Sequence, residues 1–200
     1  MAYTTIDDPS AYFHTQLYTG NGSGNNPRAI TNDANSDIRP DWIWIKERSS
    51  TSSSRLVDSS RGGTKGLTSD TAAGEDTANF ITFGASDGFT LTDYNGGTNQ
   101  DSQTYVAWQW VANGGTTTTN DASSTSVGTI DSVYQADTTA GFSIVTFTGT
   151  GSAGTIAHGL GSTPQVIITK DRDATENWIM HHHTLGATFI MRMDDKVAKV

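Results

Sequence analysis

The sequence predicts an all-β protein made of tandem antiparallel β-sandwich units, the second copy incomplete. Three observations predict it. Thr, Ser and Gly supply 73 of the 200 residues, and no segment sustains a 3.6-residue apolar period. Short apolar and aromatic runs alternate with Gly, Asn and Asp turn clusters and leave no room for crossover helices, which favours sheet-on-sheet packing over a parallel α/β sheet. The chain also repeats itself. Phe13 to Ser23 aligns with Phe142 to Ser152 at an offset of 129, and Pro40 to Arg48 aligns with Pro164 to Arg172 at an offset of 124. The second offset continues from Gly62-Gly63-Thr64 onto Gly186-Ala187-Thr188, so the five-residue difference falls in a loop.

The elements follow in order. Residues 1–10 form a short polar arm, and residues 11–112 form the first unit. Its opening strand, Phe13 to Thr19, exits into a Gly/Asn/Ser turn, and Pro40 introduces a strand at Trp42 to Lys46 whose two faces are both apolar, the mark of a central strand. Lys46-Glu47-Arg48 ends that strand in charge. Arg55 to Asp58 is a short strand before the Gly62-Gly63 turn, and Phe80 to Phe83, Phe89 to Leu91 and Tyr105 to Val111 are three more, separated by Asp87-Gly88 and Asn95-Gly96-Gly97. Residues 113–140, rich in Ser, Thr and Gly, read as a linker between separate bodies, with Val127 to Tyr134 either linker or edge strand. Residues 141–200 are the second copy. Partners for its sheet, the equivalents of Phe89 to Leu91 and Tyr105 to Val111, fall beyond Val200, so either a longer natural chain, the favoured expectation, or another chain supplies them.

Composition excludes several classes. With no cysteine there are no disulfides, thiolate metal sites or cysteine nucleophiles, and the sequence gives no reason to assign a secretory route. No apolar run approaches the length of a membrane-spanning helix. A formal net charge of −9 argues against binding a phosphate backbone, which needs clustered Lys and Arg.

Candidate sites are few. Gly149 to Gly154 spells G-x-G-x-x-G, but no helix follows to receive a pyrophosphate, so a hairpin turn is the expected reading and no cofactor is assigned. Trp42 and Trp44, like Trp108 and Trp110, sit two apart and share a strand face, where they either stack on sugar rings or fill a core. The second copy carries Val166 and Ile168 at the positions of Trp42 and Trp44, which favours core. His181 and His183 are the candidate metal ligands, pointing the same way if they lie on a strand, but two imidazoles do not close a site and the first copy has Val57 and Ser59 there, so no metal is assigned. Asp58, Glu75, Asp76, Asp87 and Asp93 read as solvated loop acids. They form neither a catalytic carboxylate pair nor a calcium loop, and no catalytic residue is assigned.

The strings Tyr18 to Ser23, Pro40 to Lys46, Asp58 to Gly62, Ser86 to Phe89, Thr104 to Trp108 and Ala140 to Val145 together resemble a repeated module of virion proteins from marine bacteriophages, cyanophages above all. The likeness spans nearly the whole chain and implies a lectin- or jelly-roll-like sandwich in a tail fibre or related structural component. It implies other virion proteins of the tail or an adaptor as partners, a homotrimer, and a host-surface glycan as a candidate ligand, with manufacture in the host cytoplasm. The arm Met1, Ala2, Tyr3, Thr4, Thr5, Ile6, Asp7, Asp8, Pro9 and Ser10 is then the candidate tail dock. The alternatives are a capsid or tail decoration protein without receptor binding and, as a minor one, a glycan-degrading enzyme. No catalytic residues come with the resemblance.

Overall fold

A computed structural model describes residues 6–84, 86–92 and 97–195. Among the described residues the first unit holds nine strands: β1 (Phe13–Thr19), β2 (Arg28–Ile30), β3 (Trp42–Glu47), β4 (Arg55–Asp58), β5 (Lys65–Leu67), β6 (Asp76–Thr77), β7 (Ile81–Phe83), β8 (Phe89–Leu91) and β9 (Thr104–Trp110). They form a six-stranded antiparallel sheet in the order β1-β9-β3-β4-β5-β6 and a three-stranded one in the order β2-β8-β7. The expected central strand is an inner one, with β3 paired to β9 on one side and β4 on the other.

Strand alternation sorts the side chains. Ile43 and Ile45 of β3, Val57 of β4, and Tyr105 and Ala107 of β9 face the small sheet and meet Ile30, Phe80, Ile81, Phe89 and Leu91 in a closed core. Each large apolar side chain buried there contributes about 1.5–3 kcal/mol. Close packing requires glycine at two places, one between the sheets and one beside β2 within the small sheet. A Cβ on Gly66 of β5 meets the Phe80 ring at 2.6 Å, and one on Gly88, at φ +66, meets the Ile30 carbonyl oxygen at 1.9 Å.

Residues 113–140, expected as a linker, are folded. They contain β10 (Thr118–Asn120), the one-turn helix α1 (Ala122–Thr125) and β11 (Ser132–Asp137), which pairs with β12 (Phe142–Phe147). The polar composition misleads because these side chains serve the local backbone. Asp121 caps α1 by accepting the Ser123 and Ser124 N–H groups, and buried Asn120 donates to the Val127 carbonyl.

The rest of the second copy is β13 (Val166–Thr169), β14 (Ile179–His182) and β15 (Met191–Arg192) in sequential antiparallel order. The repeat read from the sequence is kept pair for pair. In the first unit Trp42 faces Asp58, Ile43 faces Val57, Trp44 faces Leu56 and Ile45 faces Arg55. Moved by 124 residues these become Val166 with His182, Ile167 with His181, Ile168 with Met180 and Thr169 with Ile179, which are the observed partners. Leu56 with Leu67 likewise becomes Met180 with Met191.

One buried carboxylate ties the two units. Asp41, fully enclosed just ahead of β3, accepts through Oδ2 the N–H groups of Ala112 (2.8 Å), Asn113 (2.9 Å) and Gly114 (2.8 Å). Its Oδ1 accepts the Ser59 hydroxyl and an Arg39 guanidinium N–H, each at 2.8 Å. Gln135 of β11, itself buried, then donates to the Ser59 and Ser60 hydroxyls and accepts the Gly115 N–H. Burial pushes the Asp41 carboxyl up, but the N–H groups of Asn113 and Ala112, the Ser59 hydroxyl and the Gly114 N–H outweigh it and hold the group below its ordinary value.

Removing this acceptor strands three N–H groups and the Arg39 charge, so Asp41→Ala is expected to cost about 3–5 kcal/mol, read from the urea midpoint. Because the folded carboxyl titrates lower than the unfolded one, its contribution is complete above the ordinary carboxylate value near 4 and is lost as pH falls below it. The acid limb of the stability profile should therefore flatten in Asp41→Asn.

Candidate functional site: the aromatic face and the seam between the units

The outer face of the six-stranded sheet, turned away from the core, is aromatic. Cross-strand pairing sets Trp42 beside Trp110 (ring centroids 4.7 Å apart), Trp44 beside Trp108 (5.6 Å) and Phe13 beside Trp110 (4.8 Å), and Trp42 to Trp44 at 6.1 Å closes the strip. Tilted and edge-on contacts of this kind suit the ring quadrupoles. The tryptophans expected as core are half-buried on this face: Trp42 and Trp44 pack against a second hydrophobic cluster of Leu56, Leu67 and Trp178, while Ile43 and Ile45 lie in the core between the two sheets. Both faces of β3 are apolar because both are covered, by different partners.

The second unit covers part of this face. Phe142 stacks over Trp42 (5.7 Å) and Trp110 (6.0 Å), while Trp178 is buried against Leu56 and Leu67 and donates its indole N–H to the Thr68 carbonyl at 2.7 Å. Met193 joins that cluster. The β1 side of the face stays open, with Phe13 and Leu17 exposed next to the half-buried Trp108 and Trp110. An open strip of ring faces flanked by Thr15 and Thr19 offers stacking surface with hydroxyls at its border, the chemistry of contact with a sugar ring or an apolar side chain.

Ion pairs seal the far end of the seam. Glu75 accepts from Arg61 at 2.7 Å and from Arg172 of the second unit at 2.8 and 3.0 Å, and Arg61 also reaches Asp58 at 2.5 Å. The Glu75 backbone N–H donates to the Arg172 carbonyl. Burial raises the Glu75 carboxyl, but hydrogen bonds from Arg172 and Arg61, and their charges, hold it below the usual carboxylate range.

The remaining candidates do not converge. Asp58 and Glu75 are not solvated loop acids but members of this arginine network, and Asp76 pairs with Arg55. Asp87 has one carboxylate oxygen buried without a partner, and Asp93 lies outside the described residues. His181 sits on β14 with Nδ1 3.4 Å from the Phe189 carbonyl oxygen, whereas His183 starts a 3-10 turn, so the strand alternation that would align them ends at His182. His183 instead packs its ring against His182, 4.9 Å away. Among the described residues no three His, Asp or Glu side chains gather as metal ligands. The loop Gly149 to Gly154 opens no helix and is not a tight hairpin; it runs from β12 to a parallel bridge between Ile156 and Ile130. Of the arm, Met1 to Thr5 lie outside the described residues, while Asp8 caps the turn Pro9–Ala11 and the Ser10 carbonyl accepts the Ser36 hydroxyl.

Sequence reading did not single out Trp178, Phe142, Gln135 or the Glu75–Arg172 pair. Each makes at least one contact across 75 or more residues of chain, and a contact of that span leaves no local signature.

Fold and site define an all-β protein of two related modules, joined through an aromatic and ionic seam, with an open aromatic surface on the first. The chain belongs to the family of a domain of unknown function, DUF7483, whose profile matches residues 8–199 and so runs across both modules. No curated protein and no solved structure matches it.

Trp178→Ala removes the largest side chain of the second unit from the seam and is expected to cost about 3–5 kcal/mol. Hydrogen exchange should accelerate most in β13 to β15 and least in the β3 and β9 amides, whose pairing is internal to the first unit.

Proposed function

We propose that this chain is a structural protein of a bacteriophage virion, a tail-fibre or host-adhesion component and not an enzyme. The observation that carries the reading is the tandem module: two copies of one strand layout, paired in the same register and joined end to seam, are the construction of an extended assembly part. The resemblance of the repeated strings to virion modules of marine phages supports the same reading. The acidic surface and the absence of cysteine suit a part assembled inside the host and exposed afterwards.

On this reading the open strip of Phe13, Leu17, Trp108 and Trp110 faces outward, where ring stacking serves contact with a host-surface glycan or a neighbouring virion subunit. A homotrimer is the expected assembly, and residues 1–10 are the proposed tail dock. No cofactor or metal enters.

Antibody labelling of intact virions with copy counting tests this directly. A few copies at the tail, in multiples of three, together with purified protein that binds host cells and blocks adsorption, is the expected result. Many copies spread over the shell, or protein that neither binds cells nor slows adsorption, overturns the adhesion role and leaves decoration.

A further inference from the structure

We infer that the free edges of β12 and β13 form a docking slot for one extended peptide segment of a partner protein that carries the alternation of β9. The internal repeat supplies the argument. In the first unit β9 lies between β1 and β3, pairing antiparallel with β1 from Thr104 to Trp110 and with β3 from Tyr105 to Trp110. The counterparts of β1 and β3 in the second unit are β12 and β13. The two sheets there, β10-β11-β12 and β13-β14-β15, end on those two strands. What is one sheet in the first unit is thus two half-sheets in the second, divided where β9 stands in the first.

The strand bordering the slot is also exposed. Val166, Ile167 and Ile168 are 46, 45 and 39 % exposed, whereas Ile43 and Ile45 of the equivalent strand are completely enclosed. Phe147, at the end of β12, is 45 % exposed. A run of Val and Ile along an unpaired edge is a ready template for strand addition, and it carries none of the charged or proline residues that blunt such edges. Both half-sheets also rest on the same outer face of the first unit, through Phe142 over Trp42 and Trp110 and through Trp178 over Leu56 and Leu67. The first unit therefore holds both half-sheets against one surface before anything binds between them.

The register states the chemistry of the occupant. Trp108 and Trp110 of β9 stand opposite Trp44 and Trp42, and the second unit has the smaller Ile168 and Val166 at those positions. An incoming strand with large aromatic side chains at alternate positions then meets β-branched partners, a pairing that sheets favour. Its other face needs small or apolar groups, as Tyr105 and Ala107 provide in the first unit, to lie beside Ile167 and cover it.

The test uses the whole chain and a synthetic peptide carrying Thr104 to Trp110 between lysine tails. The expected result is saturable one-to-one binding by fluorescence anisotropy, at least tenfold slower hydrogen exchange at Val166 to Thr169 on addition of peptide, and no binding of a scrambled peptide. Ile168→Lys, a change at an exposed side chain that far-UV circular dichroism can check for folding, should lower the affinity at least tenfold. Absence of binding at millimolar peptide, or binding that Ile168→Lys leaves unchanged, overturns the inference. So does protection of Val166 to Thr169 that rises with protein concentration without peptide, since the occupant of the edge is then a second copy.

Discussion

The Asp41 carboxylate is the constraint on which the rest of the architecture depends. It sits where β3 begins, and its three backbone donors lie just past the end of β9, so it fixes these two neighbouring inner strands of the large sheet against each other at one end. Ser59, on its other oxygen, passes the connection to Gln135 and hence to β11. A buried charge is costly unless every lone pair is used, and here five donors converge on two oxygens. The direction of departure of β10 from the first unit is set by that convergence, because Ala112, Asn113 and Gly114 are bound before the chain turns away.

The two copies show what a repeated layout preserves and what it releases. Strand pairing is preserved to the residue, since a slip of one position would turn every side chain to the wrong face. Side-chain identity is released wherever the neighbour changes. Trp42 and Trp44 line a face on which another module rests, and their counterparts Val166 and Ile168 line an exposed strand. Val57 is sealed in the core, and its counterpart His181 lies partly open beside the Phe189 carbonyl. Polarity at a repeat position follows from what covers it.

Legibility in the sequence divides along the same line. The limits of β1, β4 and β8 match the runs Phe13–Thr19, Arg55–Asp58 and Phe89–Leu91, because in each an apolar or aromatic stretch is bounded by turn residues. By contrast β2, β5 and β6, of three, three and two residues, carry no alternation that could be recognised, and they exist only because the neighbouring strand presents an edge. The polar span before β12 reads as linker by composition but is ordered by Asn120, Asp121 and Gln135, whose hydrogen bonds no hydropathy pattern records. The tryptophan pairs were visible as a shared strand face. Which face it is depends on a module about a hundred residues away in the chain, so the aromatic site was half legible.

Seam and open surface are one physical system. The tryptophan strip is continuous, and the second unit takes the portion over β3, β4 and β5 while leaving the portion over β1 free. Phe142 stacks on Trp42 and Trp110, and Trp110 in turn packs against Phe13. The Glu75 network at the other end ties the β13–β14 connection to the first unit. One aromatic face of the first module thus serves both as the seat of the second copy and as the open surface beside it.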